Sequence, residues 1–332
     1  MVNGSSDTLS ITTAPTTSVK PYKIVFFGLG SIGTRHARII SELYPQHSLY
    51  AFRSDAHATE TVMHIPNIYT WEEFEAIGPD VAFITNPTFL HIDTALACAK
   101  RNCHLFIEKP IDVSDSHLNE LISVAAARQL TVYVAYVLRF HPVVKFLKSF
   151  VKPEEIAHVD AQCRTYYPSR RKGQDHLSSY SAFEAKSGGA ILELSHEFDY
   201  VTYLCGRLSA LCGSLEKKHT VTVDAHDYVD ATFCAGAAAT GHIVIDMGHQ
   251  PESRTLTLSL RSGNTIHADF LTGAITVSPE GVDHSQQVIA GQMYTNQISW
   301  FFDNMTNPAL MNNLADAQDL FSQILTFKES AR

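Results

Sequence analysis

The sequence predicts an α/β chain in two parts: a doubly wound parallel sheet over residues 21–152, and from 153 to 332 an α/β domain built on a mostly antiparallel, open sheet. Three observations predict it. Near the N-terminus an apolar strand runs into a glycine turn and then a helix. Strands and helices then alternate as far as residue 135. From about residue 219, strand-like runs follow one another with no helices between them.

The bulk properties agree. At 332 residues the chain is too long for one ordinary core. A hydrophobic content of 45% against 18% charged residues is that of a globular protein, and no apolar run approaches the roughly 20 residues of a membrane span. The net charge of -9 argues against nucleic acid or an anionic membrane as the main partner. Cys98, Cys103, Cys163, Cys205, Cys212 and Cys234 form no Cys-x-x-Cys pair, so they read as reduced packing residues of a cytoplasmic protein. Residues 1–20 are rich in Ser and Thr, lack the apolar core of a signal peptide, and read as a disordered tail.

The first strand is Tyr22-Lys23-Ile24-Val25-Phe26-Phe27, and the turn is Gly28-Leu29-Gly30-Ser31-Ile32-Gly33. The helix follows, with Ile32, His36, Ile39, Ile40 and Leu43 at helical spacing. In this order the first Gly allows a tight turn, the second lets backbone approach a pyrophosphate, and the third lets helix and strand pack closely. This is the Rossmann pattern for a dinucleotide. A second strand, Ser48 to Phe52, ends at Arg53-Ser54-Asp55. A guanidinium and a hydroxyl there suit a ribose 2′-phosphate, which favours NADP, while Asp55 keeps NAD open.

Thr70-Trp71-Glu72-Glu73 is a capping box opening a short helix. Strands at 80–85, 103–107 and 131–135 alternate with helices at 91–101 and 114–129. Ligands of such sheets lie beyond the carboxyl ends of the strands. Gly28, Arg53, Asn86, Lys109 and Arg139 all fall there and are expected to share one crevice. In the second half, 156–164 reads as a strand and 166–176 as turns. One helix is expected over 190–205, β-rich runs over 219–277, and two closing helices over 292–304 and 314–328.

Lys109 follows a buried strand and precedes a proline. Near a nicotinamide it could hydrogen-bond a substrate oxygen, with partial burial lowering its pKa; a surface lysine in a loop is the plainer reading. On the 190–205 helix, Glu193, His196 and Tyr200 share a face, and Asp199 lies three residues after His196, which suits a histidine base; a satisfied core histidine is the alternative. No third ligand accompanies Glu193 and His196, so no metal site is expected. Arg164, Tyr166, Tyr167, Arg170, Arg171, Lys172, Asp175 and Tyr180 mix cations and rings in a turn-rich stretch that suits an anionic or sugar-like ligand or, member by member, a solvated loop.

With these residues together, the chain resembles the Gfo/Idh/MocA oxidoreductase family, the group of glucose-fructose oxidoreductase and inositol dehydrogenase. The likeness rests on Phe27 to His36, Asn86-Pro87-Thr88 with His91, Glu108-Lys109-Pro110, and Ser187-Gly188-Gly189 leading to His196 and Asp199. It implies a Rossmann domain, a C-terminal domain whose open sheet forms the interface of a homo-oligomer, and hydride exchange between NAD(P) and a sugar or polyol carbon. It puts the catalytic lysine at Lys109 and the acid/base histidine at His196. It also implies cofactor contacts from Gly28, Gly30, Ser31, Ile32, Gly33, Arg53, Ser54, Asn86, His91, Glu108 and Lys109. Substrate contacts are expected from Lys109, Arg139, Arg164, Tyr167, Asp175, Tyr180, His196 and Asp199.

The chain departs from the commoner pattern at Glu193, which stands three residues before His196 where the family more often has an Asp four before. That shorter form, with Tyr167-Pro168, Gln174-Asp175 and Tyr180-Ser181-Ala182, is similar to members of surface polysaccharide and nonulosonic acid pathways. The substrate class this implies is a nucleotide-linked or acidic amino sugar. A catalytically silent dinucleotide-binding sensor of the same fold is the rival expectation.

Overall fold

The structure is a computed structural model and describes residues 20–331 except 56, 58, 172–174, 187, 237–238, 280 and 308–309. The expectations placed on 1–19, Lys172, Gly173, Gln174 and Ser187 lie outside the described residues, as do those on the Arg170 and Arg171 side chains.

In the first half the elements are β1 (Lys23–Phe27), α1 (Ser31–Leu43), β2 (Ser48–Phe52), β3 (Asn67–Ile68), α2 (Trp71–Ile77), β4 (Val81–Ile84), α3 (His91–Ala99), β5 (His104–Ile107), α4 (Leu118–Ala127), β6 (Val132–Val134) and α5 (Pro142–Phe150). The strands form one parallel sheet in the order β3-β2-β1-β4-β5-β6. β4 is apolar throughout because helices cover both faces of the sheet. The order reverses between β1 and β4, so the crevice lies beyond Phe27 and Ile84. The capping box at Thr70 is present, with Glu73 N–H donating to the Thr70 hydroxyl at 3.2 Å.

The second half holds β7 (Ile156–Tyr166), α6 (Ala190–Glu193), α7 (His196–Cys205), β8 (Leu208–Glu216), β9 (Tyr228–Ala235), β10 (Ala239–Asp246), β11 (Gly248–Leu260), β12 (Thr265–Asp269), β13 (Ile275–Ser278), β14 (Val282–Asp283), α8 (Gln292–Asn304) and α9 (Leu314–Ser330). Its eight-stranded sheet runs β14-β13-β12-β11-β7-β10-β9-β8 and is antiparallel except where β10 pairs with β7. Alternate residues of β7 are buried under α7, and the others face the open side. That open side is polar: His158 meets Thr240 at 2.8 Å, and His242 lies 2.8 Å from Asp230. Cys212 and Cys234 are exposed there, which corrects the reading of all six cysteines as packing residues; the other four are buried. β8 was not legible in the sequence, since Gly213 and the small residues around it weaken the strand pattern.

α8 returns to the parallel sheet. Its Ile298, Phe301 and Phe302 pack against Phe83, Phe106 and Tyr44, so a helix from the end of the chain covers one face of the first sheet beside α1. Among the described residues no helix is long and apolar enough to cross a membrane.

His141 caps α5, its Nδ1 accepting the Val143 N–H at 3.3 Å, and its ring packs 5.1 Å from Phe270. Burial pushes this imidazole down to about 4, and the Arg254 guanidinium adds to the effect. As pH falls from the ordinary value of 6.5 toward 4, the unfolded chain binds a proton here that the folded chain refuses, so stability falls through that window. His141→Asn keeps a cap acceptor and removes the titration. Urea midpoints measured across that pH range are expected to drop more steeply for the parent than for the variant; parallel slopes would contradict the assignment.

Candidate active site

The crevice begins at a close packing of backbone. Gly28 sits at φ +96° at the end of β1, where an added Cβ would lie 2.7 Å from the Thr85 carbonyl oxygen. A Cβ on Gly33 would lie 2.1 Å from the Gly28 oxygen, so α1 can approach β1 only through a glycine. The Thr85 hydroxyl, at the end of β4, donates to the Gly28 carbonyl and ties the two strand ends together. Gly30 differs, since a Cβ there meets nothing within 4 Å among the described residues. Gly30 is the N-cap of α1 and offers no side-chain cap, and no acidic residue occupies the first turn. Uncapped helix N–H groups beside open space fit a pyrophosphate.

Two adjoining cavities meet at this turn. One, of about 530 Å3, is walled by Phe52, Arg53, Ser54, Val62, Trp71 and Leu90 together with Gly28 and Asn86. Its wall is largely apolar and aromatic, which suits a flat base, with Arg53 and Ser54 among its polar members. Asp55 is not on this wall; its carboxylate accepts the His57 N–H at 2.8 Å.

The other cavity, of about 740 Å3, shares Gly28, Gly30 and Asn86 and extends past Ser31, Ile32, His91, Glu108 and Lys109 to Tyr180, Glu193 and His196. The cofactor residues expected from sequence thus surround the two cavities, with Gly33 packed beneath. His91 is almost wholly buried, with Nδ1 2.9 Å from the Pro110 oxygen and Nε2 2.9 Å from the Asn86 oxygen. Its ring braces the two loops that carry Asn86 and Lys109.

The expected single helix over 190–205 is broken at Leu194–Ser195. In an unbroken helix the Glu193 carbonyl would accept from the Glu197 N–H. Glu197 N–H instead bonds Leu194, and the Glu193 carbonyl accepts from Lys109 Nζ at 2.7 Å. The break ties the lysine to the segment between α6 and α7 and puts His196 at the first position of α7, its ring edge-on to Tyr136 at 6.1 Å.

Several expected substrate contacts are corrected. Arg139 and Asp199 are buried and held to each other, Nη2 to Oδ1 at 2.7 Å, and neither lines the cavity; Asp199 pairs with this guanidinium rather than with His196. A guanidinium beside a carboxylate in a dry interior satisfies both charges, which alternation of elements along the chain did not reveal. Tyr200 is fully buried against Phe270 and does not share the site face. Arg164 lies on the open face of β7. Tyr167 is wholly buried, its hydroxyl 2.8 Å from Ser181 Oγ. Asp175 caps its own turn, accepting the Leu177 N–H at 3.0 Å. The sequence reading missed Arg35 and Tyr294, which stack with the guanidinium 4.5 Å from the ring centroid on the cavity wall. Tyr294 comes from α8, and only the tertiary fold brings it there.

A reversed-order parallel sheet with a glycine turn at its switch point, opening onto a cavity completed by the second half of the chain, defines the class of Rossmann dinucleotide-binding proteins. Residues 22–136 match the model of the oxidoreductase family GFO_IDH_MocA, NAD-binding Rossmann fold. Over 129 residues it is 25% identical to the 2,7-anhydro-N-acetylneuraminate hydratase of Escherichia coli (strain K12), covering 39% of this chain and 34% of that protein. Over 193 residues it is 26% identical to the myo-inositol 2-dehydrogenase of Thermotoga maritima, covering 55% of each. The chain thus spans about half or less of the length of these curated relatives. The WlbA dehydrogenase of Bordetella pertussis, solved with NADH and UDP-GlcNAcA, shares the fold at 16% identity and a TM-score of 0.78, over 96% of this chain and 97% of that one.

Gly30→Ala should leave the melting temperature unchanged yet weaken NADH binding by about tenfold or more, because its Cβ enters only the ligand's space. Gly33→Ala should lower the melting temperature by several degrees, because its Cβ strikes backbone. Thermal shift and fluorescence titration of the two variants check both outcomes.

Proposed function

We propose that the chain is an NAD(P)-dependent oxidoreductase acting on a CH–OH group of a sugar, sugar derivative or polyol, with a nucleotide-linked or acidic amino sugar as the preferred class. The observation that carries this reading is the meeting of Lys109, Glu193 and His196 on the wall of a cavity that continues into the glycine turn. A bound nicotinamide supplies the hydride acceptor or donor. In the oxidative direction His196 takes the hydroxyl proton, and Lys109 donates a hydrogen bond to the oxygen as charge develops on it. The Glu193 carbonyl accepts from the Lys109 ammonium and so holds it at the cavity wall.

Ser178, Ser179 and Tyr180 lend hydroxyls to the same wall, which suits a polyhydroxylated substrate. Arg35 and Lys109 supply cationic side chains for an acidic group. Arg53 and Ser54 beside the first cavity, with Asp55 turned to its own loop, support NADP over NAD. The uncovered polar face of the second sheet supports a homo-oligomer formed through it.

Lys109→Ala is expected to lower kcat by about 10²-fold or more while NADH affinity changes little, since a group bonded to the reacting oxygen acts in the transition state. Turnover unchanged on the true substrate, found by screening sugar nucleotides, would remove Lys109 from the chemistry. In a thermal-shift comparison at equal concentration, NADP is expected to raise the melting temperature more than NAD does. An equal or larger shift with NAD would overturn the Arg53 assignment.

A further inference from the structure

Beneath the cavity lies a histidine that the proposed chemistry does not use. His36, in the second turn of α1, has no exposed surface, and its ring is edge-on to Phe106 at 5.1 Å with Phe83 and Tyr294 at 6.1 Å. Its Nε2 is 2.7 Å from Glu108 Oε1. Its Nδ1 is buried with no hydrogen-bond partner among the described residues, so the proton of the neutral ring belongs on Nε2, donated to Glu108. The other carboxylate oxygen of Glu108 accepts the Lys109 N–H at 3.2 Å. A leucine would fill this aromatic space without burying an unpaired nitrogen. The histidine is therefore costly to keep, and the one thing its polarity does here is hold Glu108.

We propose that His36 and Glu108 form a positioning couple that ties Lys109 to the phosphate-binding end of α1. α1 starts at Ser31 on the proposed pyrophosphate site, and His36 is one and a half turns further along the same rigid rod. The hydrogen bonds from His36 to Glu108 and from the Lys109 N–H to Glu108 make one chain from that site to the lysine. Occupation of the helix N-terminus thereby sets where the lysine backbone sits, and through it where the ammonium is presented. The inference rests on the reading of Lys109 as the group that bonds the reacting oxygen.

The test uses ADP, which reaches the base and pyrophosphate positions but carries no nicotinamide to shield Lys109. The rate of Lys109 acetylation by acetic anhydride is followed by peptide mass spectrometry, with and without saturating ADP, in the parent, His36→Leu, His36→Gln and Glu108→Ala. In the parent ADP is expected to change the labelling rate about fivefold or more. The response should vanish in His36→Leu and Glu108→Ala, and return in His36→Gln, whose amide can still donate to Glu108. With substrate, kcat of His36→Leu should fall about 10²-fold with little change in NADH affinity. A parent-like ADP response in folded His36→Leu, or in Glu108→Ala where the former does not fold, overturns the couple. Because labelling needs no turnover, active Lys109→Ala would defeat the catalytic reading alone, while the labelling result would still judge the couple.

Discussion

The site depends on one close approach, that of Gly33 to the carbonyl of Gly28. It presses the start of α1 against the end of β1, and the Thr85 hydroxyl fastens the end of β4 to the same carbonyl. Three chain segments converge where the strand order reverses, and the helix N–H groups are left facing space rather than a side-chain cap. Any bulk at Gly28 or Gly33 would part the strand ends and turn the helix axis away from the cavity.

From that point the site is assembled by hydrogen bonds that cross between elements far apart in sequence. His91 bridges the carbonyls of Asn86 and Pro110, His36 holds Glu108, and Lys109 reaches across to the Glu193 carbonyl in the second half of the chain. Each is a buried or part-buried polar contact of the kind that specifies one arrangement when it is satisfied. The broken helix between Glu193 and His196 belongs to the same scheme, because it releases a backbone acceptor that a regular helix would have consumed.

Arg139, Arg164 and Tyr167 show how position within an element separates site residues from structural ones. Arg139 and Arg164 follow or belong to strands in the sequence, and both carry the charge an anionic ligand would want. Arg139 is drawn into the interior by Asp199, while the two-residue period of β7 turns Arg164 to the open face. Tyr167, next in the period after Thr165, points into the core and spends its hydroxyl on Ser181.

Most of 22–136 was legible in the sequence because its signals are local: apolar strands of three to five residues, a glycine spacing with steric meaning, and a capping box; the two-residue β3 carries no such pattern. The fold class, the dinucleotide turn and the positions of Lys109 and His196 follow from such signals. The partners of Arg139, Tyr167 and Tyr200 depend on which face of an element meets which neighbour, as does the arrival of Tyr294 from the last part of the chain. The helix break at Leu194–Ser195 is of this kind too, since the periodicity of 190–205 is continuous and the lysine that takes the freed carbonyl lies 84 positions away. Local spacing determined which elements form; long-range packing alone decided which of their polar groups face the cavity and which are consumed holding it in shape.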